Sequence, residues 1–432
     1  MGIREELHEA FDGQDFSNDA LLARVATQLD SSPSANSHQW AAAIAAMLTI
    51  TLVATLLVAR AVRDGSRGAP TPSGRISQCL PTHNTSPSSG EHGSITEYPV
   101  PADLGHLGDI TGGPDGSLWL IGQATNSSNS MIVKLTTSGA FTEYRVPSAN
   151  TQIGGITTGP DGNIWFTETY IGGPASEPPQ VNVAKVAKLT TSGTFTEYRV
   201  PGTVAELGGI ITGADCNLWV TDSGSNKVLK VSTSGSITEF AIPSADSQPE
   251  AITAGPDGAL WFTEYSTAKV ARVTTSGHIT EFPLPATGDS FGYRPSGLAS
   301  GPDGNLWLTE EGNWPGGGPG QVARLSTSGV FSAYGVPTTK LAPGLSLLRD
   351  TGPRNITAGP DGNLWFSVLW NLDSVTTTGV FSQYIVTAPN GQVGEVYSMT
   401  AGPDGAIWFT GGDFTSGRPL VGKLVVKPAS SS

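Results

Sequence analysis

Gly159-Pro160-Asp161-Gly162-Asn163-Ile164-Trp165-Phe166 is one copy of a phrase, G-P-D-G-x-[LI]-W-[FLV], that this chain of 432 residues repeats seven times. The copies begin at Gly113, Gly159, Gly213, Gly255, Gly301, Gly359 and Gly402. Their tryptophans, Trp119, Trp165, Trp219, Trp261, Trp307, Trp365 and Trp408, lie 46, 54, 42, 46, 58 and 43 residues apart. A period of about 45 with one aromatic per unit belongs to the propeller blade, a small four-stranded sheet. A single blade cannot bury its own apolar faces, so the repeats must stack around an axis. The third copy has drifted to Gly213-Ala214-Asp215-Cys216.

Working outward, a second phrase, T-S-G-x-[FI]-T-E-[YF], follows at Thr137–Tyr144, Thr191–Tyr198, Thr233–Phe240 and Thr275–Phe282, with looser forms ending at Tyr334 and Tyr384. Each unit therefore reads as an apolar inner strand, a Pro-Asp-Gly turn, a Trp-bearing strand, a third strand and an outer strand. Proline presets φ in the turn and glycine supplies the positive φ. After Trp408 the chain offers Val421–Val426 as a third strand and then no outer one. The missing phrase stands at the front, in Gly93–Val100, so the N-terminal strand is expected to complete blade seven and leave no open edge. Third strands carry Lys134, Lys188, Lys230, Arg272 and Lys423, and outer strands carry Glu143, Glu197, Glu239, Glu281 and Glu97. The expectation is cross-strand ion pairing of these two sets, with Glu97 matched to Lys423 across the closure and a structural role for the glutamates.

Composition agrees with an all-β, seven-bladed propeller. The chain has 55 glycines and 31 prolines, as many short strands require, and a net charge of −14 that argues against a nucleic-acid partner. Its two cysteines, Cys79 and Cys216, do not make a disulfide framework. The propeller is placed at 93–427, with a tail at 428–432. Ahead of it, 1–38 reads as a polar stub with helical spacing and 39–59 as an uncharged stretch long enough for one transmembrane helix. Residues 60–92 are a Ser/Thr/Pro/Gly-rich tether. Arg60, Arg63 and Arg67 follow the span, which by the positive-inside rule alone would put the propeller in the cytoplasm. The stalk composition, the scarcity of cysteine and the short front segment favour the opposite orientation. The expected protein is a single-pass membrane protein, monomeric, with an extracytoplasmic propeller.

Long insertions at 170–183, 311–321 and 335–355 all fall on the face opposite the Pro-Asp-Gly turns, as do Phe291 and Tyr293. Insertions confined to one face mark a binding side. Trp strands end there in Glu168, Asp222, Glu264 and Glu310, beside Tyr170, Tyr265, Trp314 and Trp370. A small-molecule or peptide ligand at this channel mouth is expected to meet Glu168, Tyr170, Glu264, Glu310, Trp314, Trp370 and His106. A solvated acidic rim with stray aromatics is the plain alternative.

The combination I-T-A-G-P-D-G-N-L-W-F followed by S-G-x-I-T-E-F-P-L-P resembles streptogramin B lyase, also called virginiamycin B lyase, over all blades from Gly93 to about Lys427. The resemblance implies a seven-bladed propeller that opens a cyclic depsipeptide at its ester by elimination, with Mg²⁺ stabilising enolate-like charge. It implies a last blade entered through E-P-H-G, whose Glu binds metal and whose His is the base. Here that stretch is Glu395-Val396-Tyr397-Ser398. The family's second His, in P-H-A-I, corresponds to Arg354 of Pro353-Arg354-Asn355-Ile356, and a further metal-side Glu corresponds to Gly412, with Asp413 beside it. By resemblance Tyr397 and Arg354 hold the catalytic positions, and Glu395 with Asp413 the metal. A phenol titrates near 10 and an arginine cannot accept a proton, so lyase activity is expected to be absent or very low. The rival reading is a binding propeller that has kept the scaffold without the chemistry.

Overall fold

The computed structural model describes residues 93–427 except 126–129, 171–182, 203–205, 286–292, 313–319, 338–351, 369–370, 387–393 and 414–415. The stub at 1–38, the span at 39–59, the tether at 60–92 and the tail at 428–432 lie outside the described residues. Within the described residues no helix is long and apolar enough to cross a membrane.

The described strands form seven antiparallel sheets of four strands, so the all-β, seven-bladed propeller stands. Blades one to six each take four consecutive strands. Blade one, for example, runs Leu104–Gly112, Leu118–Ala124, Ser130–Leu135, Phe141–Arg145. Blade seven takes Gly394–Ala401, Ala406–Asp413 and Pro419–Val425, and its outer strand is the N-terminal Ile95–Tyr98. The register is Ile95↔Leu424, Thr96↔Lys423, Glu97↔Gly422 and Tyr98↔Val421. Closure is therefore as the repeat phrase implies.

The core lies between blades rather than within them. Trp165 of blade two packs with Leu207, Ile210, Leu218 and Val220 of blade three, and Trp408 of blade seven packs with Leu107, Leu118 and Val133 of blade one. All seven repeat tryptophans are essentially fully buried. A buried indole N–H needs a partner, and the turn aspartate provides it. In every blade the Trp Nε1 donates to the Asp four residues earlier, from Asp115 to Asp404, at 2.9–3.1 Å. The first glycine of the phrase makes the close approach possible, since a Cβ on Gly159 would overlap the Trp165 ring.

The charge pairing differs from the expectation. The third-strand cations do not reach the outer-strand glutamates. Lys134, Lys188, Lys230, Arg272, Arg324 and Lys423 pair with the turn aspartates Asp115, Asp161, Asp215, Asp257, Asp303 and Asp404. Glu197, Glu239 and Glu281 pair instead with Lys185, Lys227 and Lys269, three residues earlier on the same strands. The reason is strand parity. Lys188 stands opposite Thr196 and so shares a face with Trp165, whereas Glu197 stands opposite Ala187 on the other face. Glu97 likewise faces Gly422 and not Lys423. One of its oxygens is buried without a hydrogen bond, and burial raises its pKa.

Blade three holds another difference. Cys216 is disulfide-bonded. It takes φ 56° at the turn position where the other six copies place Gly116, Gly162, Gly258, Gly304, Gly362 and Gly405 at φ 71–78°. A side chain in this region is unfavourable, so the cysteine occupies a position that the backbone reserves for glycine. The sequence holds one other cysteine, Cys79, which lies outside the described residues.

Candidate functional site at the channel mouth

Each inner strand carries a register shift ahead of the residue that pairs with the repeat tryptophan. In blade seven the register shifts between Val396 and Ser398, which leaves Tyr397 unpaired. In blade six it shifts between Arg354 and Ile356, which leaves Asn355 at φ 34°. The two bulges are joined, because the Asn355 side-chain amide donates to the Tyr397 carbonyl.

Tyr397 is the hub of the first cluster. Its ring stacks on the His106 imidazole of blade one, with centroids 5.2 Å apart and planes 20° from parallel. Burial, and then the neighbouring Glu395 carboxylate, push its phenol above the usual value. Its hydroxyl fills the space over Gly412, where a Cβ would meet it at 2.5 Å. Nearby, Asp109 of blade one is also held up by burial, against a hydrogen bond with Ser398. His106 is exposed, and Tyr397 and Glu395 are half-buried.

A second cluster lies between blades four, five and six. Arg354 pairs with Glu311 at 3.3 Å, and the Tyr265 hydroxyl reaches the other Glu311 oxygen at 3.5 Å. Arg294, the cross-strand partner of Glu311, lies over the Tyr265 ring at 5.0 Å. Glu250, on the blade-four bulge, has its carboxyl pushed up to about 7 by burial and by Glu311.

The other residues expected at the mouth are placed as follows. Glu168, Glu264 and Glu310 are 0–1 % exposed and lie inside their blades, not on a solvated rim. Burial drives each carboxyl up to about 7. Glu168 stands opposite Lys185, and Glu264 opposite Lys269, the same lysines that hold the outer-strand glutamates. Tyr170 is half-buried at its strand end. Trp314 and Trp370 lie outside the described residues. Asp413 is buried, and one of its oxygens accepts the Ser416 N–H at 2.9 Å in the turn that follows its strand. Glu395 stands opposite Gly412. No group of three or more His, Cys, Asp or Glu able to hold a metal occurs among the described residues.

Sequence reasoning missed Glu311, Glu250 and Arg294, and it missed that His106 meets Tyr397. One signal was present. His106 lies 13 residues before Trp119, as Glu395 lies 13 before Trp408, so the two occupy the same position in blades that closure makes neighbours.

Seven four-stranded antiparallel blades, the last closed by the N-terminal strand, define the chain as a seven-bladed propeller. The chain belongs to the virginiamycin B lyase family, whose profile matches residues 71–173 and 179–347. Among solved structures it is similar to a streptogramin B lyase, at 27 % identity over 77 % of this chain and 99 % of that one, with a TM-score of 0.61. A catalytically inactive virginiamycin B lyase from Staphylococcus aureus with quinupristin matches equally well, at 27 % identity over the same shares and a TM-score of 0.61. The YCF48 propeller bound to a D1 peptide shares the fold alone, at 12 % identity over 80 % of this chain and 99 % of that one, with a TM-score of 0.52. No curated protein sequence matches the chain.

Proposed function

We propose that this protein is a membrane-anchored propeller that binds a small molecule or peptide rich in ester and amide carbonyls at its loop-rich mouth, and that has lost family-rate elimination of streptogramin B. One observation carries the reading. Where the family places its two histidines, this chain has a phenol raised above its ordinary value beside Glu395 and a guanidinium committed to Glu311. Neither accepts a proton near neutral pH, and removing a positioned general base costs about 10²–10⁴-fold. The mouth keeps donors and acceptors suited to carbonyl ligands, namely Arg294, Arg354, Tyr397 and His106.

For Mg²⁺, the residues present do not fit a site built on two carboxylates. The room above Gly412 is taken by Tyr397, and Asp413 is engaged in its own turn. The proposed contact narrows to Glu395 with water completing the shell, a weak arrangement for this ion. No step is routed through it.

The test is to incubate the purified protein with quinupristin and Mg²⁺, beside a Staphylococcus aureus virginiamycin B lyase. The expected outcome is binding by calorimetry, with linearised product forming at least about 10²-fold more slowly than in the comparison enzyme. Turnover matching that enzyme and undiminished in Tyr397→Phe would refute the loss of elimination.

Anchoring is proposed through 39–59, with the propeller outside. A disulfide at Cys216 supports an oxidising compartment. Protease added to intact cells should then release the propeller by cutting the 60–92 tether, and full protection would reverse the orientation.

A further inference from the structure

We infer that the bond at Cys216 joins it to Cys79 of the same molecule, and that this crosslink braces the strand that closes the ring. The inference is independent of what the mouth binds and goes beyond it by assigning a covalent site on the opposite side of the propeller.

Connectivity comes first. Cys216 is disulfide-bonded, and no other described residue is a cysteine. The chain has two cysteines, so within one molecule the second sulfur is that of Cys79. Cys79 also falls within the propeller's share of the chain. The compact unit that holds the blades begins at Pro72, and the family profile matches from residue 71, both well ahead of the first strand at Ile95. Cys216 is exposed in its turn, where a second sulfur can reach it. The turn supplies a reason for the residue as well. Six copies of the phrase place glycine at this position, and blade three accepts a side chain at φ 56°. That conformation is unfavourable for any side chain, and a crosslink gained at the sulfur offsets the cost.

Topology puts both ends of the intervening segment on one side. Cys216 lies between the strands Leu207–Thr212 and Leu218–Asp222, on the side of the Pro-Asp-Gly turns. The closing strand enters from that side too. Val425 stands opposite Ala406, which follows the Gly402–Gly405 turn, and Ile95 stands opposite Leu424. At the same end the Gly93 N–H donates to the Val425 carbonyl at 2.8 Å. The 14 steps of chain from Cys79 to Gly93 span at most about 50 Å when extended. Seven stacked sheets of four strands put the turn of blade three and the edge of blade seven on the order of 30 Å apart, so the bond is within reach.

The consequence is mechanical. Ile95–Tyr98 is a strand of four residues, and it is the one strand that the last blade takes from the front of the chain. Without the crosslink no bond returns its N-terminal side to the propeller, and it frays as chain ends do. With the crosslink, a detached strand is a loop tied through Cys79 to blade three and through Leu104 to blade one, so it returns at a smaller entropic cost. In forming the bond the two thiols give up two protons and two electrons. A disulfide oxidant accepts them and becomes a dithiol, one S–S bond forms, and an added dithiol reverses the step.

The experiment uses the full-length protein in detergent, with free thiols alkylated at lysis. Digestion without reductant, followed by mass spectrometry, should recover the Cys79 peptide linked to the Cys216 peptide from protein that runs as a monomer on a non-reducing gel. A Cys216–Cys216 peptide from a covalent dimer, Cys216 joined to a small thiol, or alkylated Cys79 and Cys216 overturns the connectivity. Amide exchange then reads the brace. Dithiothreitol should speed exchange across Ile95–Tyr98 by roughly tenfold or more while leaving Leu260–Glu264 of blade four unchanged. Cys79→Ser should exchange like the reduced protein and melt several degrees lower, with no further response to reductant. Cys216→Gly, which restores the glycine of the other six turns, should lose protection at Ile95–Tyr98 in the same way even though its own turn is relieved. Linked cysteines whose reduction leaves exchange at Ile95–Tyr98 unchanged overturn the bracing role.

Discussion

The Tyr397 hydroxyl occupies the volume that a side chain at Gly412 would need, with a Cβ there only 2.5 Å from the oxygen. The two positions are therefore coupled across the strand pair Gly394–Ala401 and Ala406–Asp413. A tyrosine at 397 and a side chain at 412 exclude one another in this arrangement.

That coupling gives the first prediction. Gly412→Glu alone should destabilise the propeller, because Tyr397 must leave its rotamer and its stack with His106. Tyr397→His with Gly412→Glu should recover most of the loss. A double-mutant cycle by thermal melting should show a coupling energy of about 1 kcal/mol or more, in the range for contacting residues. Additive effects would mean the clash is relieved by movement elsewhere. Restoring histidine at 397 together with Arg354→His should raise quinupristin turnover more when Gly412→Glu is present, although Arg354→His also breaks the pair with Glu311.

The fold was legible because its determinants are local and repeated. Each G-P-D-G-x-[LI]-W carries its own turn, its indole and the aspartate that serves it, so spacing alone announces seven units. Closure was legible for the same reason, since an orphan outer-strand phrase at the front matched a missing one at the back. The charge pairs were misread because composition does not give parity. Lys185 and Lys188 sit on opposite faces of one strand, and only the register shows which of them meets Glu197. The same limit applies to Glu168, Glu264 and Glu310, whose burial, which sets aside the plain alternative of a solvated acidic rim, shows only in the structure. Glu311, one residue further along, is the carboxylate that meets Arg354 and Tyr265. The stack of His106 on Tyr397 joins residues 291 positions apart, and it follows only once blade one is known to sit beside blade seven.

Closure gives the second prediction. A chain beginning after Pro101 would lack Ile95 and Tyr98, which pack on the last blade, and would expose the Pro419–Val425 edge. Tyr98 also stacks on Trp408 at 5.0 Å. Compared with a chain beginning at residue 90, the shorter one should melt lower by 10 °C or more, on the order of the loss of two buried aromatic or aliphatic anchors, and should aggregate through the open edge. Equal melting temperatures would show that the outer strand is dispensable.

The turn aspartates give the third. Asp257 accepts from Trp261 and from Arg272, and these hydrogen bonds outweigh its burial to hold its carboxyl below the ordinary value. Asp361 accepts from Trp365, but its blade has Ser374 where the cation stands in the others. Asp257→Asn should therefore cost more stability than Asp361→Asn, by about 1 kcal/mol, since the first loses a charged partner and the second only a stronger acceptor. Denaturant midpoints of the two variants decide it, and equal losses would show that the cation contributes nothing.

The buried carboxyls give the last prediction, and its sign can be worked out. Glu168, Glu264, Glu310 and Asp373 are all pushed up to about 7 by burial. Unfolded, they would titrate near 4. Between pH 4 and 7 the folded state thus holds more protons than the unfolded one, and stability falls as pH rises through this window. Below it the neutral carboxyls cost little, while above it the fold must carry buried charges, and among the described residues Glu310 has only Gln321 as a side-chain hydrogen-bond partner. The lowered aspartates act oppositely, since Asp115, Asp161, Asp215 and Asp257 lose stability as pH falls through their depressed values. Their window lies below about pH 4, so the two sets do not cancel. The melting temperature should accordingly peak near pH 5 and drop by several degrees by pH 8.5. Glu310→Gln, which keeps a hydrogen-bonding side chain without the charge, should flatten that drop and raise the melting temperature at pH 8.5 while changing it little at pH 5. A wild-type melting curve that is flat from pH 5 to 8.5, or a Glu310→Gln variant with an unchanged slope, would show that these carboxyls ionise freely in the fold.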